Sequence, residues 1–147
     1  MSFLGFFGFR SADQVDSHKA LNAVQKANQS LNIEVSIAAH ENWLTRLETY
    51  VAGHSTEALD PAQICCDDKC DLGKWIYGDG EKYLGEYASF KDLKATHKMF
   101  HFKASSVVSL CQDERVDEAR ATLADDMQKT SKKIRQRLLD LKGVAEG

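Results

Sequence analysis

Two histidines four residues apart, His97 and His101, are the residues best placed to do chemistry. Residues at this spacing lie one above the other on a helix, so both imidazoles can reach a single ion. Both also fall in an apolar seam with steps of three or four residues, the pattern of a helix face that points into a core. The seam consists of Phe90, Leu93, His97, His101, Ala104, Val108 and Cys111. The pair alone leaves two interpretations open, a metal site or hydrogen-bonded core histidines, because a buried imidazole needs a partner for each nitrogen.

A third histidine and a cysteine extend this pattern. His40 occupies an inward position in another helical seam, and Trp43, one turn on, is expected to pack beside it. That seam consists of Ile33, Ile37, His40, Leu44, Leu47 and Val51. Cys70 begins a short helical stretch, residues 70–77, which Gly78 is expected to close. Three imidazoles and one thiolate fill the tetrahedral shell that Zn²⁺ prefers and leave no position for an activated water.

Other metals fit these residues less well. A di-iron site in a helical bundle needs several inward carboxylates, and these seams contain none. Copper competes for the same ligands, but four nitrogen and sulfur ligands in a tetrahedral frame favour zinc. A closed shell of this kind is typical of a structural or sensory site rather than of a hydrolytic one.

The elements that must position these residues are all predicted to be helical. The first is a helical stretch from about Asp13 to Val51 with a small shift of phase, and a turn over 61–65 follows with Asp60 as its N-cap. After the short stretch 70–77, a helix runs from about Ser89 to Cys111 with Asp92 in a capping box. Asp113 caps a last helix, which ends at Gly143. In the first stretch the inward residues are Leu21, Val24, Leu31 and Val35, and in the last helix they are Val116, Leu123, Met127, Ile134, Leu138 and Leu141. The predicted fold class is all-α, a four-helix-bundle-like domain with a short helix that carries the cysteine ligand.

Composition bounds the class of protein. The chain has 147 residues, 43% of them hydrophobic and 28% charged, as in one soluble globular domain. A net charge of -3 without a cluster of Lys and Arg argues against nucleic-acid binding. The sequence contains no run of 18 apolar residues, so no transmembrane segment is predicted. The four cysteines occur without a secretory signal, so reduced thiols in a cytoplasmic protein are expected.

The first residues differ from the rest of the chain. We expect residues 1–12 to be an apolar N-terminal tail and residues 13–147 to be a single helical zinc-binding domain. The tail contains four phenylalanines and no charge before Arg10. It is either frayed or packed on the bundle, or it anchors a partner protein or contacts a membrane surface.

Three short motifs resemble those of the chemoreceptor zinc-binding domain family. They are His40-x-x-Trp43, Cys70-x-Leu72-Gly73-Lys74-Trp75 and His97-x-x-x-His101, and the resemblance extends over residues 33 to 141. It implies a helical bundle, zinc ligands His40, Cys70, His97 and His101, and frequent homodimers. Members are usually attached to bacterial chemoreceptors or diguanylate cyclases and sense zinc or oxidants such as hypochlorous acid. No receptor or cyclase segment accompanies the motifs here, so a stand-alone member that passes its output to another chain is expected.

The predicted function is therefore a zinc-binding sensory or regulatory module, not an enzyme, which signals to a partner in chemotaxis or cyclic-di-GMP control. One alternative is a metal-dependent enzyme that uses the same histidines, but its only adjacent carboxylate, Glu41, should face outward. Another is a structural zinc protein that docks a partner through the Phe-rich tail. Cys65 and Cys66 are close enough in sequence to form a disulfide with a Cys70 that has been oxidised to a sulfenic acid. Cys111 is expected to pack in the core.

Overall fold

The computed structural model of the protein describes residues 17–146, and all regular secondary structure within them is helical. The helices are α1 (Ser17–Asn28), α2 (Ile33–Val51), α3 (Pro61–Ile64), α4 (Asp71–Trp75), α5 (Glu81–Leu84), α6 (Ala88–Gln112), α7 (Val116–Thr122) and α8 (Gln128–Glu146). A segment kinked at Gly78, Ile76–Gly80, joins α4 to α5, and a wider π turn, Leu123–Met127, joins α7 to α8. The predicted all-α fold is confirmed, while the apolar tail at residues 1–12 lies outside the described residues.

The core lies where the long helices meet. Helix α6 packs against α2, α3, α7 and α8, and α1 packs against α5 and α8. The three seams predicted for α2, α6 and the last helix are buried, except that Cys111 and Val116 at their ends are half-buried. The three histidines of these seams are 6% exposed or less, so each imidazole lies inside the apolar core.

The first helical stretch differs from the prediction because it breaks between α1 and α2. The Asn32 side chain accepts a hydrogen bond from the Val35 backbone N–H at 2.9 Å, and this N-cap starts a new helix. The break changes the helical phase, so Val35, which was predicted to face inward, lies on the outside of α2 with 56% of its surface exposed. That prediction was wrong because a capping asparagine competed with continuous apolar spacing.

The chain after Cys70 ends its first helical stretch where the sequence predicts. Gly78 has a non-helical backbone (φ -106°, ψ -112°), which kinks the chain before α5 begins. A Cβ atom on Gly80 would lie 2.8 Å from the Phe90 ring and 2.9 Å from the Trp75 carbonyl oxygen. Gly80 therefore serves the close approach of this segment to Phe90 and Trp75, whereas Gly78 has open space around it and forms the kink.

Three predicted helix ends were misplaced. Asp92 does not form a capping box, since α6 begins at Ala88 with no side-chain cap. Asp113 does not cap the last helix either, because α7 begins at Val116 after Arg115. That helix also continues through Gly143 to Glu146 instead of stopping at the glycine. By contrast, the Asp60 N-cap of α3 is confirmed, because its carboxylate accepts from the Ala62 N–H at 3.0 Å.

Asp92 joins α6 to α8 through two ion pairs. Its carboxylate oxygens lie 3.0 Å from Lys133 Nζ and 2.9 Å from Arg137 Nε. Burial alone would raise the pKa of Asp92, but the two cationic partners outweigh it, and the pKa lies below its ordinary value. The charged form of this carboxylate therefore stabilises the packing of the two helices.

Replacing Asp92 with asparagine should lower the free energy of unfolding by about 1 kcal/mol at neutral pH. Because the folded-state pKa is depressed, the stabilisation is present above the unfolded-state pKa of about 3.9 and is lost as the pH falls through the folded-state value. Urea unfolding at neutral pH and at about pH 2 measures the difference between variant and parent. Asp117→Asn, at a fully exposed carboxylate, is the control and should change little. A D92N deficit that is equal at both pH values would contradict the ion-pair explanation.

Candidate metal centre

The four residues predicted to bind a metal meet in one place. His40 lies on α2, His97 and His101 lie on α6, and Cys70 is the N-cap residue of α4. Their donor atoms all lie within 4.8 Å of one another. Nε2 of His97 is 3.1 Å from Nε2 of His101, and the Cys70 Sγ is 3.3 Å and 3.6 Å from these two nitrogens.

These distances fit the edges of a tetrahedral zinc site. With Zn–N bonds of about 2.0–2.1 Å and a Zn–S bond of about 2.3 Å, neighbouring nitrogens lie about 3.3 Å apart and sulfur lies about 3.6 Å from each nitrogen. The three measured separations fall close to these values. The 4.8 Å bound on the whole set exceeds an ideal edge by about 1 Å, which side-chain rotation can close. The donor set, three imidazoles and a thiol, is also one that zinc prefers.

Backbone carbonyls orient two of the imidazoles. His40 Nδ1 lies 2.8 Å from the Ser36 carbonyl oxygen, and His101 Nδ1 lies 2.9 Å from the Ile64 carbonyl oxygen. A carbonyl can only accept, so each Nδ1 carries the proton and each Nε2 presents a lone pair to the cluster. This is the arrangement usual for metal-binding histidines. Neither hydrogen bond could be predicted from the sequence, because every residue has a backbone carbonyl and the acceptor does not depend on residue type.

The third imidazole, His97, is held by packing instead. Its ring centroid lies 4.6 Å from that of His101 and 5.0 Å from that of His40, both in edge-to-face contact. Its Nδ1 is buried and has no hydrogen-bond partner among the described residues. Burial, assisted by the neighbouring imidazoles, lowers the pKa of His97 to about 2, so the ring is neutral and available as a ligand. Burial also lowers the pKa of His40.

Cys70 supplies the only group in the cluster that can become an anion. The residue is half-buried, and burial raises the pKa of its thiol although the Gly73 N–H, 3.3 Å from Sγ, opposes the shift. Without a cation the site would therefore hold a neutral thiol beside the neutral imidazole of His97. A bound divalent cation would reverse this balance, because metal coordination deprotonates a thiol.

The Leu-Gly-x-Trp part of the motif fixes where Cys70 sits. A Cβ atom on Gly73 would lie 1.8 Å from the Asp67 carbonyl oxygen, so only glycine lets the loop before Cys70 fold against α4. Trp75 is 5% exposed and its indole N–H donates to the Ala27 carbonyl oxygen at 2.6 Å. Gly73 thus admits the loop before Cys70, and Trp75 attaches the short helix to α1.

Aromatic groups close the site from solvent. Phe100 is 1% exposed and its ring lies 5.3 Å from that of His40, edge to face. The contact between Phe100 and His40 was not predicted from the sequence, although the position of Phe100 three residues after His97 could have indicated it. Trp43 is half-buried beneath the Arg46 guanidinium, 3.9 Å above its ring, and its packing beside His40 stays a prediction.

Other candidate residues lie away from the cluster. Glu41 faces outward as predicted and pairs with Arg135 at 3.1 Å on the surface. Cys65 is exposed, and Cys66 is half-buried with its thiol donating to the Ala62 carbonyl. Cys111, predicted to pack in the core, is half-buried at its edge. The described part of the chain places no carboxylate among the four donor atoms.

Comparison with known families agrees with this geometry. Residues 40–108 match the model of the chemoreceptor zinc-binding domain family. This match supports the resemblance that the three motifs indicate. The matched segment begins at His40 and includes Cys70, His97 and His101, and the domain is a zinc-binding one. No curated protein and no solved structure gave a significant match. Within residues 17–146, every helix is too short or too polar to cross a bilayer.

Gly73→Ala should displace the Cys70 loop, because the new methyl group would overlap the Asp67 carbonyl. We expect a loss of roughly 1–3 kcal/mol in the free energy of unfolding together with weaker zinc binding. Urea unfolding and zinc content per chain measure the two effects. Lys74→Ala, at an exposed position on the same helix, should change neither. Parent-like stability and zinc content in G73A would show that the glycine does not position Cys70.

Proposed function

We propose that this chain is a zinc-binding sensory module in which His40, Cys70, His97 and His101 are the zinc ligands. The observation that carries the proposal is the convergence of four nitrogen and sulfur donors within 4.8 Å, three of them at tetrahedral separations, with the Nδ1 atoms of His40 and His101 already bound to carbonyls. All four ligands come from protein, which favours a sensory or structural role over catalysis. Glu41, the adjacent carboxylate, is paired with Arg135 and does not serve as a base.

The signal we propose is zinc level or oxidation of the cysteine. A bound zinc ion would keep Cys70 as a thiolate at neutral pH, and the thiolate is the form that oxidants attack. With hypochlorous acid the sulfur gives up two electrons, gains the OH group as a sulfenic acid, and chloride leaves. The sulfenic sulfur no longer carries the anionic charge of a ligand, so one of the four bonds is weakened.

The part of the chain that responds is the loop of residues 65–69. One end follows Ile64, whose carbonyl oxygen holds His101, and the other end precedes Cys70. Both ends of the loop are therefore attached to the proposed ligands. Beyond Cys70 the chain is anchored by Trp75 through its indole N–H, so displacement on zinc loss should stay within the residues before it. A local equilibrium of a few kcal/mol is enough to switch such a segment.

The output of the module is proposed to pass to another chain in the cytoplasm, such as a chemoreceptor or a cyclase, in chemotaxis or cyclic-di-GMP control. A homodimer is part of the proposal. Both rest on the chemoreceptor zinc-binding domain over residues 40–108. The apolar tail at residues 1–12 is proposed as a further contact with a partner or a membrane.

Removing one ligand tests the zinc site. Cys70→Ala and His97→Ala should each weaken zinc binding on the order of a hundredfold, because four ligands together supply roughly 10–16 kcal/mol. Native mass spectrometry reports zinc per subunit and the number of subunits. Cys65→Ala, an exposed cysteine five positions from Cys70, is the control and should retain one zinc. Full zinc occupancy in C70A would overturn the four-ligand site, and retained zinc with loss of a turnover that the parent shows would favour an enzyme.

Oxidation tests the sensory function. In a chain with Cys65 and Cys66 replaced by alanine, one equivalent of hypochlorous acid should release zinc in proportion to the oxidation of Cys70. A zinc-binding dye reports the release, and trapping with dimedone followed by peptide mapping identifies the sulfenic acid. Zinc that stays bound while Cys70 is oxidised would contradict redox sensing and leave zinc level as the signal.

A further inference from the structure

A cleft of about 380 Å³ lies on the outside of the bundle, between α6 and the segment that follows the short helix. We call it the lysine cleft. It is lined by Tyr77, Glu81, Gly85, Lys91, Lys94, Ala95 and Lys98. The four donor atoms of the metal centre take no part in it, and neither the three sequence motifs nor the family match explains its charge.

The lysine cleft carries unneutralised positive charge. Lys94 Nζ lies 3.0 Å from the Glu81 carboxylate and 4.9 Å from the centre of the Tyr77 ring, so the one acidic residue of the lining is already paired. Among the described residues, Lys91 and Lys98 form no ion pair, although the chain as a whole has a net charge of -3. Two exposed ammonium groups therefore face the cleft without a counter-charge.

An apolar surface continues the lysine cleft along α6. Lys91, Ala95, Lys98 and Phe102 follow one another at helical spacing and form one outward stripe, about 16 Å long at 1.5 Å per residue. Met99 beside the stripe is 47% exposed, and Phe102 at its end is 57% exposed. The one acidic residue of α6, Asp92, is engaged by Lys133 and Arg137. The stripe thus presents only basic, small and apolar side chains.

The lysine cleft is also connected to the loop before Cys70. The Tyr77 hydroxyl donates to the Asp67 carboxylate at 2.6 Å. This bond to Asp67 raises the pKa of Tyr77 to about 12, so the hydroxyl is protonated and can donate to Asp67 at neutral pH. Asp67 belongs to the loop of residues 65–69, so displacement of that loop would free one wall of the cleft.

We propose that the lysine cleft and the adjoining stripe are a docking site for an acidic, amphipathic segment of a partner protein. The carboxylates of such a segment would pair with Lys91 and Lys98, and its apolar side chains would cover Met99 and Phe102. A small anion would leave the two exposed apolar side chains uncovered. A lipid surface is nearly flat and would not enter the cleft, whereas a carboxylate on a protein segment can. The use of this site in signalling rests on the proposed sensory function.

The test uses the full chain loaded with zinc and a fluorescein-labelled peptide of Glu, Leu and Ala, about 15 residues long so that it spans the stripe. Lys91→Glu with Lys98→Glu should weaken peptide binding at least tenfold. The control, Lys26→Glu with Lys132→Glu, makes the same change of net charge at exposed lysines elsewhere and should change binding less than twofold. A peptide with Gln in place of Glu should not bind. Amide shifts in nuclear magnetic resonance spectra should map to α6 and Tyr77.

Several outcomes would overturn the proposal. The peptide would fail to bind, or it would bind equally to both double variants. Co-sedimentation with phosphatidylglycerol vesicles that depends on Lys91 and Lys98, in place of peptide binding, would indicate a membrane surface instead. Binding that appears only after deletion of residues 1–10 would indicate that the tail occupies the site, and loss of a dimer in the K91E/K98E variant would indicate a second copy of the chain. Zinc content measured on every sample separates this proposal from the sensory function. Lysine-dependent binding that is unchanged in H97A supports the docking site and counts against control by zinc.

Discussion

Burial of three imidazoles and a thiol at one point of an apolar core is the constraint on which the rest of this structure depends. Each buried polar atom without a hydrogen bond costs about 1–3 kcal/mol. The Nε2 atoms of His97 and His101 face each other and the Cys70 sulfur at short range, where at most one proton can be shared between any two of them. A cation bound by these three atoms would satisfy them at once, which is why we propose a metal centre here. His97 Nδ1, on the other side of the ring, has no hydrogen-bond partner among the described residues.

This constraint explains features well away from the four side chains. The Ile64 carbonyl orients His101, so the short helix α3 is part of the site although none of its side chains is a proposed ligand. Gly73 lets the Asp67 carbonyl approach α4, and Trp75 ties that helix to Ala27. The loop of residues 65–69 is consequently held at both ends by groups that touch the cluster. Its Asp67 in turn bonds Tyr77 at the surface, so the structure contains a continuous contact path from the metal centre to the lysine cleft.

Sequence patterns were most accurate where burial alone decides the outcome. Every residue of the α2 seam is buried, and so are the two histidines of α6. The patterns failed where local hydrogen bonding competes with apolar spacing. Asn32 ends one helix and caps the next, which turns Val35 outward, and Asp92 prefers Lys133 and Arg137 to a capping role. Gly143 lies within α8, because packing of the helix outweighs the weak tendency of glycine to end one.

The amino-acid sequence by itself determined the all-helical class, the inward positions of His40, His97 and His101, and the chemistry of a nitrogen- and sulfur-rich zinc site. These follow from periodicity and residue type, which are local properties. Tertiary structure alone decided that Cys70 lies 3.3 Å from His97, which carbonyls fix the imidazoles, and that Tyr77 connects the loop to a basic cleft. Those contacts join residues distant in sequence through backbone atoms and helix crossings, and neither leaves a repeating pattern in the chain.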